Sequence, residues 1–326
     1  MKRKEFINTS IFATAGLSFN GNIFAGNAVP QQQEVAAPQL QIVSEKMQVC
    51  IFSKQLQWLN YADMAKAVAD MGYDGIDLTV RTDGHVIPAN VETDLPKAVE
   101  AAEKAGIKII MISTDISDAR GANTEKVLKT AASLKIRHYR INGLNYQKDI
   151  DVPANLDLIK NKFSGIEKLN RQYGLRSDYL NHSGENFGAS IWDLWLTIKD
   201  LDPAFIGSQF DIKHSTIAGP FSWPTAFKLI NKYIQTMVVR DFQWEKKEDK
   251  LAVKPVPLGQ GLVDFKKYFG LIKQYQVPGP ISVMCDYDLG GAENGARILT
   301  VPKESVLNAM KKDLDILKTY LAAAGL

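Results

Sequence analysis

Cysteine is scarce in this chain: Cys50 and Cys285 are the only two in 326 residues. Two cysteines so far apart make neither a metal-binding pair nor a disulfide framework. Each lies in an apolar run, so both read as buried free thiols. An excess of one charge is also missing. The chain has 39 Lys and Arg against 36 Asp and Glu, a formal net charge of +3. No basic cluster marks a single element, which excludes the electrostatic footprint of a nucleic-acid binder. The stretch "EKKEDK" at 245–250 mixes both signs and reads as a solvated loop. No segment beyond the amino terminus approaches the roughly 20 apolar residues of a membrane span. Glycine is absent from "FSKQLQW", which follows the first β-type run. An open nucleotide-binding sheet would carry its glycine-rich phosphate turn there.

What is present begins with a leader. "MKRKEFINTSIFATAGLSFNGNIFAGNA" has a basic start, a moderately apolar middle and a small-residue end suited to cleavage after Ala28. That is the layout of an export signal over residues 1–28. Arg3-Lys4-x-Phe6-Ile7 is similar to a twin-arginine motif with lysine in second place, so either a Tat-like or a Sec route to the periplasm fits. The leader has no cysteine for a lipid anchor. Residues 29–45, with "VPQQQEVAAPQLQ", read as a flexible Pro/Gln spacer, and the folded domain is expected over 46–326.

From Gln48 onward one unit recurs: a short β-type run, a loop, then an amphipathic helix. The runs are Gln48–Phe52, Gly75–Val80, Lys108–Ser113, Arg137–Ile141, Leu175–Asn181, Phe205–Asp211, Thr236–Asp241 and Pro280–Asp286. Eight strands strictly alternating with eight helices imply a parallel sheet with right-handed crossovers. Over this length they predict a closed (β/α)8 TIM barrel in a single domain.

Such a barrel places its chemistry past the carboxyl ends of the strands. Those ends carry Lys54, Arg81 with His85 nearby, His138 and Arg140, Asp178 with His182, Asp211 with Lys213 and His214, Arg240 with Asp241, and Asp286. Asp211 and Asp286 close apolar strands, where an unpaired carboxylate is costly. A site explains them, and so does an internal salt bridge to Arg81, Arg140 or Arg240. Asp and His at a barrel mouth suit a divalent metal such as Mn, Mg or Zn. They equally suit metal-free acid–base work on a polyol. Trp58, Trp223 and Trp244 fall in three of the top loops, where aromatic faces can stack on a sugar ring. In "DYDLGGAENG", Asp286 is expected to point into the mouth and Tyr287 away from it. Gly290-Gly291 should form a tight turn whose amides approach the ligand, and Glu293 should help close the rim.

The segments "CIFSKQLQWL", "GYDGIDLTVRTDGHVIP", "YLNHSGENFGASIWDLW", "FDIKHSTIAG", "VVRDFQWE", "PLGQGLVDF" and "DYDLGGAENGAR" together resemble the xylose isomerase-like TIM barrels. That superfamily includes sugar-phosphate isomerases/epimerases, ketose 3-epimerases and type-two AP endonucleases. The resemblance implies one divalent metal held by Glu, Asp, His and Glu at the ends of strands five to eight. Carried over position by position, the strand-six Asp is Asp211 and the strand-eight Glu is represented by Asp286. Leu180 and Val238 stand where the strand-five Glu and the strand-seven His would be. Either His182 and His214 join the acids Asp211, Asp286 or Asp241 in a displaced metal site, or there is no metal.

The resemblance implies a sugar isomerase or epimerase working by proton abstraction next to a carbonyl on a sugar or keto-sugar, and the export leader argues for an unphosphorylated one. Asp286, His182 and His214 are the candidate acid–base groups, with Asp211 as ligand or orienting acid. Arg81, His85, Arg140, Arg240, Trp223 and Glu293 are the candidate substrate contacts. Two alternatives stay open: a 3-keto-glycoside lyase or hydrolase on the same fold, and a catalytically inactive carbohydrate-binding barrel. The family's DNA-cleaving branch fits worst, because no basic DNA surface is visible.

Overall fold

The structure, a computed structural model, describes residues 47–326. The export signal read at 1–28 and the spacer read at 29–45 lie outside the described residues. Eight parallel strands close a barrel: β1 (Val49–Phe52), β2 (Gly75–Val80), β3 (Lys108–Thr114), β4 (His138–Ile141), β5 (Arg176–Leu180), β6 (Ile206–Asp211), β7 (Ile234–Val239) and, after an excursion, β10 (Ile281–Val283). The excursion is an antiparallel hairpin of β8 (Asp241–Lys247) and β9 (Lys250–Val256). Closure comes from β1 pairing with β10, Val49 opposite Ile281. Strands sealed between barrel interior and helices are buried on both faces, which is why "VCIF" reads as an unbroken apolar run.

The helices around the barrel begin and end where the sequence supplies caps. In α1 (Tyr61–Met71) the Asn60 side chain accepts the Asp63 N–H, and Gly72 ends the helix at φ +87°. Next come α2 (Val91–Lys104), α3 (Thr124–Ser133) and α4 (Val152–Tyr173), the last capped by Asp151. They are followed by α5 (Ile191–Ile198), α6 (Ile212–Ala218), α7 (Trp223–Ile230), α8 (Phe265–Gln274) and α9 (Lys303–Ala324). The ring closes because α9 packs against both α8 and α1. Among the described residues no helix is long and apolar enough to cross a membrane. Cys50 and Cys285 are free and buried, as their apolar surroundings predict.

Two features depart from the alternation read in the sequence. The hairpin replaces the loop expected at "EKKEDK"; its tip is Glu248-Asp249, both at positive φ. The extra helix α6 starts immediately at the end of β6, because Asp211 caps it by accepting the His214 N–H at 3.0 Å.

Candidate active site

Strand alternation stacks the barrel interior in three tiers. The lowest is polar and hydrogen-bonded. The Asp77 carboxylate accepts from Ser113 (2.7 Å) and Ser282 (2.8 Å), and Asp178 accepts from Thr236 (3.0 Å). Two residues further along three strands comes an apolar tier. Leu180, Val238 and Met284 join Phe52 in a buried cluster separate from the main core. Two residues further again, His182, Arg240 and Asp286 form the upper tier at the carboxyl end.

That upper tier is knitted around Arg240. Its Nε and Nη2 donate to Asp211 Oδ2 at 2.7 and 2.5 Å, and its Nη1 donates to Asp286 Oδ2 at 3.0 Å. Lys213 donates to the same Asp286 oxygen. Asn181 pins the backbone of Asp211: its side chain accepts the Asp211 N–H at 2.7 Å and donates to Ser215 at 3.0 Å. Burial alone would raise the Asp211 pKa, but the Arg240 charge and the helix-cap bond hold it down to about 2. Burial lowers the Lys213 pKa, with Arg240 pushing the same way.

His182 and His214 lie side by side, ring centroids 4.6 Å apart and ring planes tilted by 42°. His214 Nδ1 sits 2.9 Å from Ser183 Oγ. Burial drives the His214 pKa to about 2, against the pull of Asp211. Burial and the neighbouring Arg240 also lower that of His182. Both imidazoles are therefore neutral at pH 7. A cavity of about 280 Å³ opens over the apolar tier, lined among others by Lys54, Arg81, Arg140, His182 and Arg240. Arg81 and Arg140 both lie over the Phe52 ring, 5.4 and 4.7 Å from its centroid.

Several residues predicted for the site lie elsewhere. His85 is tied to Leu56 O and Thr79 Oγ1, and burial holds its pKa near 4. Trp223 is buried against Tyr268 in the helical layer. Gly290 and Gly291 do form the left-handed turn, at φ +67° and +97°. Their amides, however, are taken by Asp288 and by Glu293, which also accepts from Leu289 N–H, so this acid ties its own loop. Asp241 accepts four backbone N–H groups, from Phe242, Gly259, Gly261 and Val263. Tyr287 points outward, to a separate cavity of about 880 Å³ shared with Asp313 and α9. Lys54, Lys213 and Asn181 stand at strand ends in the sequence reading but carry no assigned role there. The available signal was their position just past the ends of β1, β6 and β5.

The metal set of Asp211, Asp286, His182 and His214 does not assemble. Among the described residues no group of three or more His, Cys, Asp or Glu side chains is placed to hold an ion. The reason is in the donor set. Leu180 and Val238 offer hydrocarbon where ligands would stand, and the Arg240 guanidinium already occupies the space between the two acids. This mouth does not fit the family's metal, and the displaced site fails because the Asp241 oxygens are spent on backbone.

A closed parallel barrel with a layered interior and a cationic mouth defines a TIM barrel carrying its polar groups at the strand ends. The chain belongs to the xylose isomerase-like TIM barrel family, whose sequence model matches residues 65–303. Among solved structures it is similar to a D-tagatose 3-epimerase-like protein, with a TM-score of 0.63 and 16% identity, covering 86% of this chain and 98% of that one. It is also similar to 3-keto-D-glucoside 4-epimerase from E. coli (TM-score 0.62, 10% identity, 83% and 100% covered). A third is a xylose isomerase-like TIM barrel protein from Mycobacterium smegmatis in complex with magnesium (0.57, 17%, 82% and 98%). At these identities the likeness is one of fold. No curated protein is significantly similar in sequence.

Proposed function

We propose that the protein is an isomerase- or epimerase-like enzyme that removes a proton next to the carbonyl of a sugar or keto-sugar without a metal. The observation that carries this reading is His182: a neutral imidazole, lining the same cavity as Arg140 and Arg240. A neutral base beside fixed cations is what enolisation requires. His182 takes the proton from carbon, the electron pair moves onto the carbonyl oxygen, and the guanidiniums stabilise the enediolate that forms. His214 stays uncharged beside it, so it adds nothing to the repulsion that Arg240 and Arg140 exert on the new imidazolium. Asp286 with Lys213 is the second proton-handling pair, serving the return of the proton from the other side of Arg240. The epimerases similar in fold support the sugar substrate, and the leader supports an exported enzyme whose substrate is unphosphorylated. Elimination from a keto-glycoside shares the same first step.

The test is His182→Gln assayed on a panel of ketoses and 3-keto-glycosides. The expected kcat loss is roughly 10²–10⁴-fold with KM little changed. In the wild type the acid limb of kcat/KM should lie below the ordinary histidine value of 6.5, because burial and Arg240 depress the pKa. A variant that turns over substrate as fast as wild type, with the same acid limb, removes His182 from the reaction.

A further inference from the structure

The cavity lining is chemically lopsided. Four of its residues are cationic, Lys54, Arg81, Arg140 and Arg240, and none is acidic. Arg240 has its countercharges in Asp211 and Asp286. The other three have no carboxylate within ion-pair distance among the described residues.

Arg140 is the sharpest case. It is only 8% exposed, and its guanidinium makes no hydrogen bond or ion pair with another described residue. Asp77 in the tier below and Asp211 are opposing charges that act on Arg140 at a distance, but Ser113 and Ser282 take the hydrogen bonds of the Asp77 oxygens, so the guanidinium has no direct anionic partner. A buried ion without a partner costs several kcal/mol. Here the cost is compounded, because Arg81 and Arg240 are near enough to repel Arg140, and burial with that repulsion lowers its pKa to about 10. Arg140 and Arg81 share the Phe52 ring, which offers a quadrupole but no anion. A neutral sugar would leave these groups without a hydrogen-bonded anion. A planar oxyanion on the ligand would answer them with the paired hydrogen bonds that guanidinium groups make best.

We infer that the mouth binds an anionic carbohydrate, its terminal oxyanion seated on Arg140 and Arg81 with Lys54 at the edge, and its carbonyl turned to Arg240 and His182. This rests on the proton-transfer reading for the carbonyl end alone. If the substrate is unphosphorylated, the oxyanion is a carboxylate, and the ligand is a sugar acid of the uronate or aldonate class.

Binding to the full chain, measured by calorimetry at low salt, tests the assignment without requiring turnover. The probes are D-glucuronate and D-galacturonate, their neutral sugars, D-glucose 6-phosphate and inorganic sulfate. A uronate is expected to bind roughly 10- to 100-fold tighter than its neutral counterpart, the share of a charged hydrogen-bond pair. Arg140→Met should erase that difference. Equal binding of acid and neutral sugar overturns the inference. So does sulfate binding as tightly as either uronate. Binding of the phosphate ester but not of the uronates overturns the carboxylate and points to a phosphorylated ligand. Tight uronate binding with no turnover by any protein defeats only the proton-transfer reading. Turnover of neutral keto-sugars with no anion preference defeats only this inference.

Discussion

Replacing Arg240 by methionine should invert the pH dependence of stability contributed by Asp211. In the wild type the Asp211 pKa falls from 3.8 to about 2. At roughly 1.4 kcal/mol per unit that depression contributes about 2 kcal/mol. The contribution is complete above the unfolded value of 3.8 and disappears as pH falls through about 2. Arg240→Met keeps the stem and removes the charge, leaving a fully buried carboxylate held by the His214 cap bond. Burial, which pushes upward, then dominates, and the folded pKa rises above 3.8. A raised pKa reverses the sign. The variant carries no penalty from Asp211 below the unfolded pKa and accumulates one as pH climbs through the folded value. At pH 7 breaking a buried pair costs about 3–5 kcal/mol. Asp286 softens the loss little, since it keeps Lys213. Urea unfolding followed by tryptophan fluorescence between pH 4 and pH 8 reads the effect. The deficit against wild type should be largest at pH 7–8 and shrink toward pH 4, and adding Asp211→Asn should recover part of it. An unchanged midpoint at pH 7, or a deficit independent of pH, refutes the argument that Arg240 exists to hold Asp211 ionised.

Two further outcomes are expected. Protein purified without chelator should carry Mn, Mg and Zn only below stoichiometry, and chelation should leave its melting temperature unchanged; a stoichiometric ion whose removal lowers that temperature overturns the misfit argued from Leu180, Val238 and Arg240. If residues 1–28 are an export leader, the mature protein should begin near Val29, so amino-terminal sequencing that finds an intact Met1 on protein from the native cytoplasm defeats the leader reading.

The barrel was legible because alternation of short apolar runs with amphipathic helices leaves few other parallel folds. The positions of Leu180 and Val238 were legible too, since a ligand replaced by hydrocarbon shows in the letters alone. What became of the space they vacated was not. That Arg240 turns to Asp211 and Asp286 together depends on β6, β7 and β10 lying side by side, a relation between residues 211, 240 and 286 that no local pattern encodes. Glu293 and Asp241 misled for a related reason. An acid that accepts its own loop's amides and an acid offered to a ligand look alike in sequence. The hairpin was missed because its charged tip, "KEDK", carries no apolar alternation.

The hairpin excursion has a use of its own. Asp241, the hairpin's first residue, accepts the N–H of the next residue, Phe242, and that of Val263, 22 residues on from Asp241, with Gly259 and Gly261 fastened between. Both ends are thus stapled to the barrel beside Arg240, while the tip at Glu248-Asp249 stands in solvent. Such a geometry isolates the tip mechanically from the mouth. It marks a place where a fluorophore, a tag or a second domain can be spliced into the chain without loosening the arginine next door.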